Sequence, residues 1–256
     1  NDDTDEILVD VPPTRADILH ACDIMEDVAI AYGFNNIPKT LPNSVTVGKA
    51  LPINKLSDLI RKELALAGWT EVLPLILCSH DENFAYLNKK DDNKTAVKLA
   101  NPKTFEYQVV RTSLLPGVLK TVRENKKNAL PIKVFEVSDV VFKDDSLERR
   151  ARNDRHVCAI YCNKVSGFEF IHGLVNRIMD MLRVNFVSAS GDENGYFIKE
   201  SDDPTYFPNR SADIFIRSSS TVTKIGSFGI IHPKVLENFE IIYPCSSLEI
   251  DLGTFL

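Results

Sequence analysis

The chain holds 256 residues, 44% hydrophobic and 26% charged, with a formal net charge of −6, a globular composition long enough for one large domain and a fragment besides. That balance argues against a surface that wraps nucleic acid everywhere while leaving a local basic groove open, and no apolar run nears the roughly 20 residues a bilayer span requires. The five cysteines, Cys22, Cys78, Cys158, Cys162 and Cys245, hold no C-x-x-C pair, so neither a disulfide framework nor zinc spacing is present and a reducing compartment is expected. The start at NDDTDE, without Met or a signal segment, reads as a piece of something longer.

ILVDVPPTRAD alternates apolar and polar residues and stops at two prolines, which predicts a strand. A helix follows from about His20 or Cys22 to Tyr32, with Ile24, Val28 and Ala31 along one face and Gly33 as its stop. Residues 36–49 carry turn formers and prolines and read as a linker holding the domain boundary. In LPINKLSDLIRKELALAGW, Leu56, Ile60 and Leu64 stand at helical spacing between Pro52 and Gly68. EVLPLILCS reads as an edge or bulged strand because of Pro74, and AVKLANPKT as a strand closing in an Asn-Pro turn.

A helix begins near Pro116, where the missing donor is harmless. IKVFEVSDVVF and HVCAIYC are strands by their β-branched and aromatic content, and GFEFIHGLVNRIMDMLRV is a helix by its spacing. Cys158 and Cys162 share one side of their strand and read as small buried hydrophobes. RSADIFIR, TKIGSFGIIHP and SSLEIDLG alternate with period two. Strands in runs give an α+β class, an antiparallel sheet flanked by helices.

No nucleophile elbow, P-loop or zincin helix occurs, and the histidines His20, His80, His156, His172 and His232 stand alone, each reading as a surface or satisfied core imidazole. The glycines of Gly226-Ser227-Phe228-Gly229 suit a strand kink or close packing better than a phosphate cradle. Arg149, Arg150, Arg152 and Arg155 are denser than a solvated loop requires and leave a phosphate or acidic partner open. Asp23, Glu26 and Asp27 share a helix face, with Asp17 one turn earlier. Two accounts stand: acidic residues complementing the helix dipole, or oxygens converging on a hard cation.

VPPTRADILHACDIMEDVAIAYGFNNIP resembles the metal-bearing module of the phenylalanyl-tRNA synthetase β subunit. The likeness runs on through LANPKTFEYQVVRTSLLPGVLKTVRENKK, PIKVFEVSDVVF and KIGSFGIIHPKVLENFEI to SSLEIDLGTFL, covering nearly the whole chain, and looks like the eukaryotic and archaeal form. It implies part of a small α/β metal-bearing domain over 1–38, a linker over 39–50, and a class II aminoacyl-tRNA synthetase catalytic-like module over 51–256.

The family's magnesium positions fall on Asp17, Asp23, Glu26 and Asp27, and Asp27 departs from the Glu of many bacterial members. NKLSDLIRKELALAGW with VKLANPKT and VRTSLLPG resembles the first class II motif, whose proline would be Pro102; an interface at Pro102, Arg111, Leu114, Leu115 and Pro116 is implied. Active members place an Arg on the second-motif strand and another in a terminal glycine-rich segment. Here VFEVSDVVF offers Glu136, Ser138 and Asp139, and SSLEIDLGTFL has no cation, so the module is expected to be catalytically inert.

The resemblance thus implies a non-catalytic subunit of a cytoplasmic phenylalanine-tRNA ligase. Its catalytic α subunit binds ATP, two of each subunit form a heterotetramer, and tRNA(Phe) is bound by the complex. A free-standing ATP-dependent ligase on the same fold and a tRNA-binding module are the alternatives.

Overall fold

The computed structural model describes residues 7–41, 48–218 and 221–256. By its contacts the chain divides into two units, Asn1–Lys49 and Ala50–Leu256.

The described part of the first unit is built on α1 (Ala21–Tyr32), followed by a 3₁₀ turn over Phe34–Asn36. Asp23 folds back over the helix start, its Oδ2 accepting from the N–H groups of Leu19 and His20, both at 2.9 Å, while His20 Nδ1 accepts from the Cys22 N–H. Gly33, at φ +94°, ends the helix as the sequence predicts. The strand expected at ILVDV does not form: Ile7 and Leu8 are about nine-tenths exposed, and no neighbouring chain among the described residues pairs with their backbone. The part of the 36–49 linker at 42–47 lies outside the described residues.

The second unit opens with α2 (Pro52–Leu66), which takes Pro52 into its first turn, buries Ile60 and Leu64 and ends before Gly68 at φ +81°. β1 (Thr70–Glu71) is short. β2 (Leu77–Cys78), the single-turn α3 (His80–Asn83) and β3 (Val109–Val110) follow, and β2 pairs with β3 as a separate ribbon. Pro74 thus falls before the strand rather than bulging it, and AVKL is reduced to one bridge, Lys98 to Val109. Then come α4 (Leu115–Glu124), β4 (Ile132–Lys143), β5 (Ala151–Cys162), α5 (Phe168–Met181), β6 (Gly195–Glu200), β7 (Tyr206–Ser218), β8 (Thr221–Ile231), α6 (Pro233–Asn238) and β9 (Cys245–Asp251).

The main sheet has seven strands in the order β1-β4-β5-β9-β8-β7-β6, all neighbours antiparallel except the edge pair β1 and β4. Side-chain alternation divides the interior into two cores. Phe135, Ala159, Phe228 and Leu248 pack with Ile60 and Leu64 of α2 and Ile171 and Ile178 of α5. Val134, Ile160, Cys162 and Cys245 pack with Leu115 and Leu119 of α4 and Val235 and Leu236 of α6. Burial on both faces explains why the sequence of β4 is nearly continuous in apolar residues.

Candidate functional site

Two groups of polar residues bear on function. In the first unit Arg15 lies between carboxylates, 2.9 Å from Asp17 and 2.8 Å from Asp27. Its guanidinium holds the Asp17 carboxyl below the usual range, and the two donated N–H groups of Leu19 and His20 do the same for Asp23. So Asp17 and Asp27 are brought together through Arg15, Asp23 is committed to the helix start, and Glu26 lies on the exposed surface of α1. Among the described residues no three carboxylate, histidine or cysteine side chains close into a cation cage. The donor chemistry nonetheless suits a hard cation, since all four side chains offer oxygen and Asp23 Oδ1 takes only a long contact of 3.9 Å from Cys22 Sγ. Arg15 and both its partners are well exposed, and ion pairs of that kind are weak enough for a dication to displace the guanidinium.

The second group is set by strand register. Glu136 of β4, Cys158 of β5, Glu249 of β9, Ser227 of β8 and Asp213 of β7 lie directly opposite one another in succession, so one polar row crosses the sheet on a single face. Glu249 anchors it: His156 Nδ1 lies 2.8 Å from one oxygen, the Leu114 N–H donates to the same oxygen at 3.1 Å, and the Ser113 hydroxyl donates to the other. Burial opposes the charge on Glu249, yet His156 and these donors outweigh it and hold the carboxyl below its ordinary value; burial opposes the charge on His156 too, and Glu249 carries that imidazole above its ordinary value. Cys158 lies between two carboxylates in this row, and burial with that negative charge pushes its thiol far up.

Beside the row opens a cavity of about 250 Å³ lined by Ser113, His156, Tyr206, Gly226, Glu249 and Asp251, with Lys89 and Lys224 at its wall. Lys89 is paired with Asp203 at 2.9 Å and Lys224 with Asp213 at 2.7 Å. No arginine lines it, and each lysine is answered by a carboxylate. Gly226 is required at this wall because a Cβ there would meet Glu249 O at 2.2 Å, so the expected close packing is what this glycine provides.

Deeper in the same face Arg111 faces Glu136 at 2.8 Å. Burial pushes the Glu136 carboxyl up to about 7, against the pull of the guanidinium. Leu114, Leu115 and Pro116 are buried with Arg111 inside this chain. Of the residues expected at an interface, Arg111, Leu114, Leu115 and Pro116 are held within this chain by core packing and an ion pair, and Pro102 is part exposed. An exposed apolar hollow of about 600 Å³ is walled by Leu75, Ile76, Leu77, Leu99, Lys103 and Tyr107. Leu75 and Ile76 are 66% and 53% exposed.

The arginine run is split: Arg149 and Arg150 lie in the turn between β4 and β5, while Arg152 and Arg155 lie on β5. Arg155 donates to Asp139 and to Ser57 Oγ, Arg152 pairs with Asp144 and Asp154, and Arg149 donates to the Ala151 carbonyl. The row at Glu249 and His156 escaped sequence reasoning, since no spacing signal joins residues on different strands. The histidine expectation holds: His20 and His232 cap helices, His172 stacks on Phe228, and His80 meets Asp91.

Residues 37–252 match the family model described as phenylalanyl tRNA synthetase beta chain CLM domain, and residues 1–34 match the tRNA synthetase B5 domain. The phenylalanine--tRNA ligase beta subunit of Schizosaccharomyces pombe is 57% identical over 98% of this chain and 43% of its own length. The Homo sapiens protein of that name is 50% identical over 99% of this chain and 42% of its own, and the Arabidopsis thaliana one, named cytoplasmic, is 49% identical over 98% and 42%. This chain thus spans about two fifths of the length of these curated relatives. A solved structure of the Desulfitobacterium hafniense pyrrolysyl tRNA synthetase PylSc superposes with a TM-score of 0.60 at 12% identity, covering 80% of this chain and 67% of its own, which is a likeness of fold. With its sheet, its helices and the family match over most of its length, the chain belongs to the phenylalanyl-tRNA synthetase β chain family.

Proposed function

We propose that the protein containing this chain is the β subunit of a cytoplasmic phenylalanine-tRNA ligase, working with a catalytic α subunit that uses ATP and magnesium to attach phenylalanine to tRNA(Phe). Residues 51–256 serve as a non-catalytic, class II synthetase-like module that docks on that partner within a heterotetramer of two α and two β subunits. Residues 1–38 belong to a metal-bearing domain, and 39–50 join the two.

The observation that carries the inert-module reading is the charge of the sheet face. A nucleotide triphosphate needs unpaired cations, preferably arginine forks. Here the row presents Glu136, Glu249 and Asp213, and the two lysines of the cavity wall are already matched by Asp203 and Asp213. Docking is supported by the hollow at Leu75, Ile76 and Tyr107, because exposed aliphatic and aromatic side chains gathered in one place mark association surfaces. Asp17, Asp23, Glu26 and Asp27 would hold the magnesium of the first domain. Bound there, the ion supplies charge neutralisation that fixes the helix start, and this chain's residues do no chemistry on it.

The test is phenylalanine-dependent exchange of pyrophosphate into ATP. The full-length β subunit with its α partner exchanges and β without α does not, while calorimetry with ATP on β alone gives no binding heat. Exchange by β alone, or saturable nucleotide binding to it, identifies a free-standing ligase and overturns the reading.

A further inference from the structure

Two cysteines apart from the cavity lie side by side in the second core. Cys162 is the last residue of β5 and Cys245 the first of β9, and the register pairs them directly. One step beyond, the Asn163 N–H donates to Pro244 O at 3.3 Å; at the far end of the ladder the Leu252 N–H donates to Arg155 O at 2.8 Å. Hydrogen-bonded and open pairs alternate along an antiparallel ladder, so both contacts make Cys162 and Cys245 an open pair. In such a pair the side chains are closer and the Cα separation is about 4.5 Å, inside the window of about 4.4–6.8 Å that a disulfide spans.

The two thiols share one apolar cluster, 1% and 0% exposed, and Cys245 Sγ donates to Tyr243 O at 3.5 Å. We propose that Cys162 and Cys245 form a dithiol site that peroxides oxidise to a disulfide and thiol reductants restore.

Oxidation begins at whichever of the two thiols ionises first, and the other resolves it. The first thiolate attacks one peroxide oxygen, the O–O bond breaks, and hydroxide leaves and takes up the proton that this thiol gave up. The second thiol then attacks the sulfur of the resulting sulfenic acid, the S–O bond breaks, and the hydroxyl leaves with the second thiol's proton as water. One hydrogen peroxide and two thiols become one disulfide and two waters, the sulfurs supplying both electrons. Entry is at the ladder's end, where Asn163, Tyr243 and Pro244 are only part buried and Lys164 is exposed, so opening this last pair suffices.

The other cysteines lack this arrangement. Cys158 has Glu136 and Glu249 as its cross-strand neighbours, burial pushes Cys78 up to about 12, and Cys22 is exposed far from both in sequence.

The experiment treats the natural full-length protein, in its native assembly, with hydrogen peroxide, blocks remaining thiols after denaturation, and maps peptides by mass spectrometry. The expected product is a peptide pair joined through Cys162 and Cys245 that separates on adding dithiothreitol. In Cys245→Ser and in Cys162→Ser the cross-link is lost, and oxidation stops at a sulfenic acid on the remaining cysteine that dimedone captures. The wild-type map needs no variant to fold. If both cysteines stay reduced while Cys22 is fully oxidised, or if Cys158 or Cys78 reacts first, the proposal is overturned.

Discussion

Arg111 and Glu136 oppose each other at 2.8 Å with only 2% and 1% of their side chains exposed, joining the segment after β3 to the sheet. Arg111 also donates from Nε to the carbonyl of Asp139 at 3.1 Å, while its Nη2 and Glu136 Oε2 have no hydrogen-bond partner. The pair is thus closed electrostatically but incompletely hydrogen-bonded. Arg111→Met leaves a carboxylate in the core without its cation and is expected to cost about 3–5 kcal/mol in urea unfolding. Arg111→Met with Glu136→Leu removes both charges and is expected to recover most of that loss. A double variant as unstable as the single one would show that the pair's role is shape rather than charge compensation.

Stability is expected to peak in mildly acidic solution. Glu136 titrates near 7 in the folded chain against 4.5 unfolded, so the folded state binds the extra proton and stability falls as pH rises from 4.5 through 7. His156, raised above 6.5, contributes stability that is complete below 6.5 and lost as pH rises through its folded value. Glu249, lowered below 4.5, contributes stability present above 4.5 and lost as pH falls through its folded value. Together they place the maximum near pH 4.5, where Glu249 already contributes and the loss at Glu136 is only beginning, with His156 adding to the descent above 6.5. Scanning calorimetry across pH measures this, and Glu136→Gln is expected to flatten the descent toward neutral pH; an unchanged slope in that variant would remove Glu136 from the account.

The hollow at Leu75 and Ile76 predicts a separation between stability and association. Leu75→Asp and Ile76→Asp change exposed positions and are expected to leave the unfolding midpoint nearly unchanged, within about 0.5 kcal/mol. Affinity for the α subunit, followed by biolayer interferometry, is expected to fall by roughly tenfold or more, about 1.4 kcal/mol. Leu115→Asp, at a buried position, is expected to unfold the module instead. Unaltered binding by both exposed variants would move the docking surface elsewhere.

Magnesium is expected to raise the melting temperature of the full-length protein, with chelation reversing the gain. Asp17→Asn with Asp27→Asn is expected to abolish the magnesium response. Arg15→Ala is expected to enhance it at low salt, because the competing guanidinium is gone. A response that survives the double substitution would place the ion elsewhere.

Local chemistry was legible in the sequence wherever it decided the outcome. Gly33 stops α1, Pro116 opens α4, and the β-branched run of β4 forms a strand because nothing else competes for those segments. ILVDV fails as a strand for want of a partner, and partners are a property of topology. The beginning of β5, ARNDRH, gives no strand signal because its charges are many; cross-strand Asp139 and nearby Asp144 and Asp154 make that charge tolerable in a ladder. In RTSLLPG the apolar residues are packed as core, a placement that only the surrounding elements decide. Register likewise hid Glu249 with His156 and Cys162 with Cys245, since each pair lies far apart along the chain.

The outward set of α1 has a thermodynamic corollary. None of its 12 residues is buried, and Met25, Val28, Ile30 and Tyr32 all face solvent. Isolated helices of about that length are marginal in water, so its caps and the exposed Arg15–Asp27 ion pair hold it at the edge of melting. Amide protons of Ala29 to Tyr32 should exchange with deuterium at nearly the rate of an unstructured peptide until some other surface covers that greasy flank, and the slowing of that exchange would report the moment of coverage.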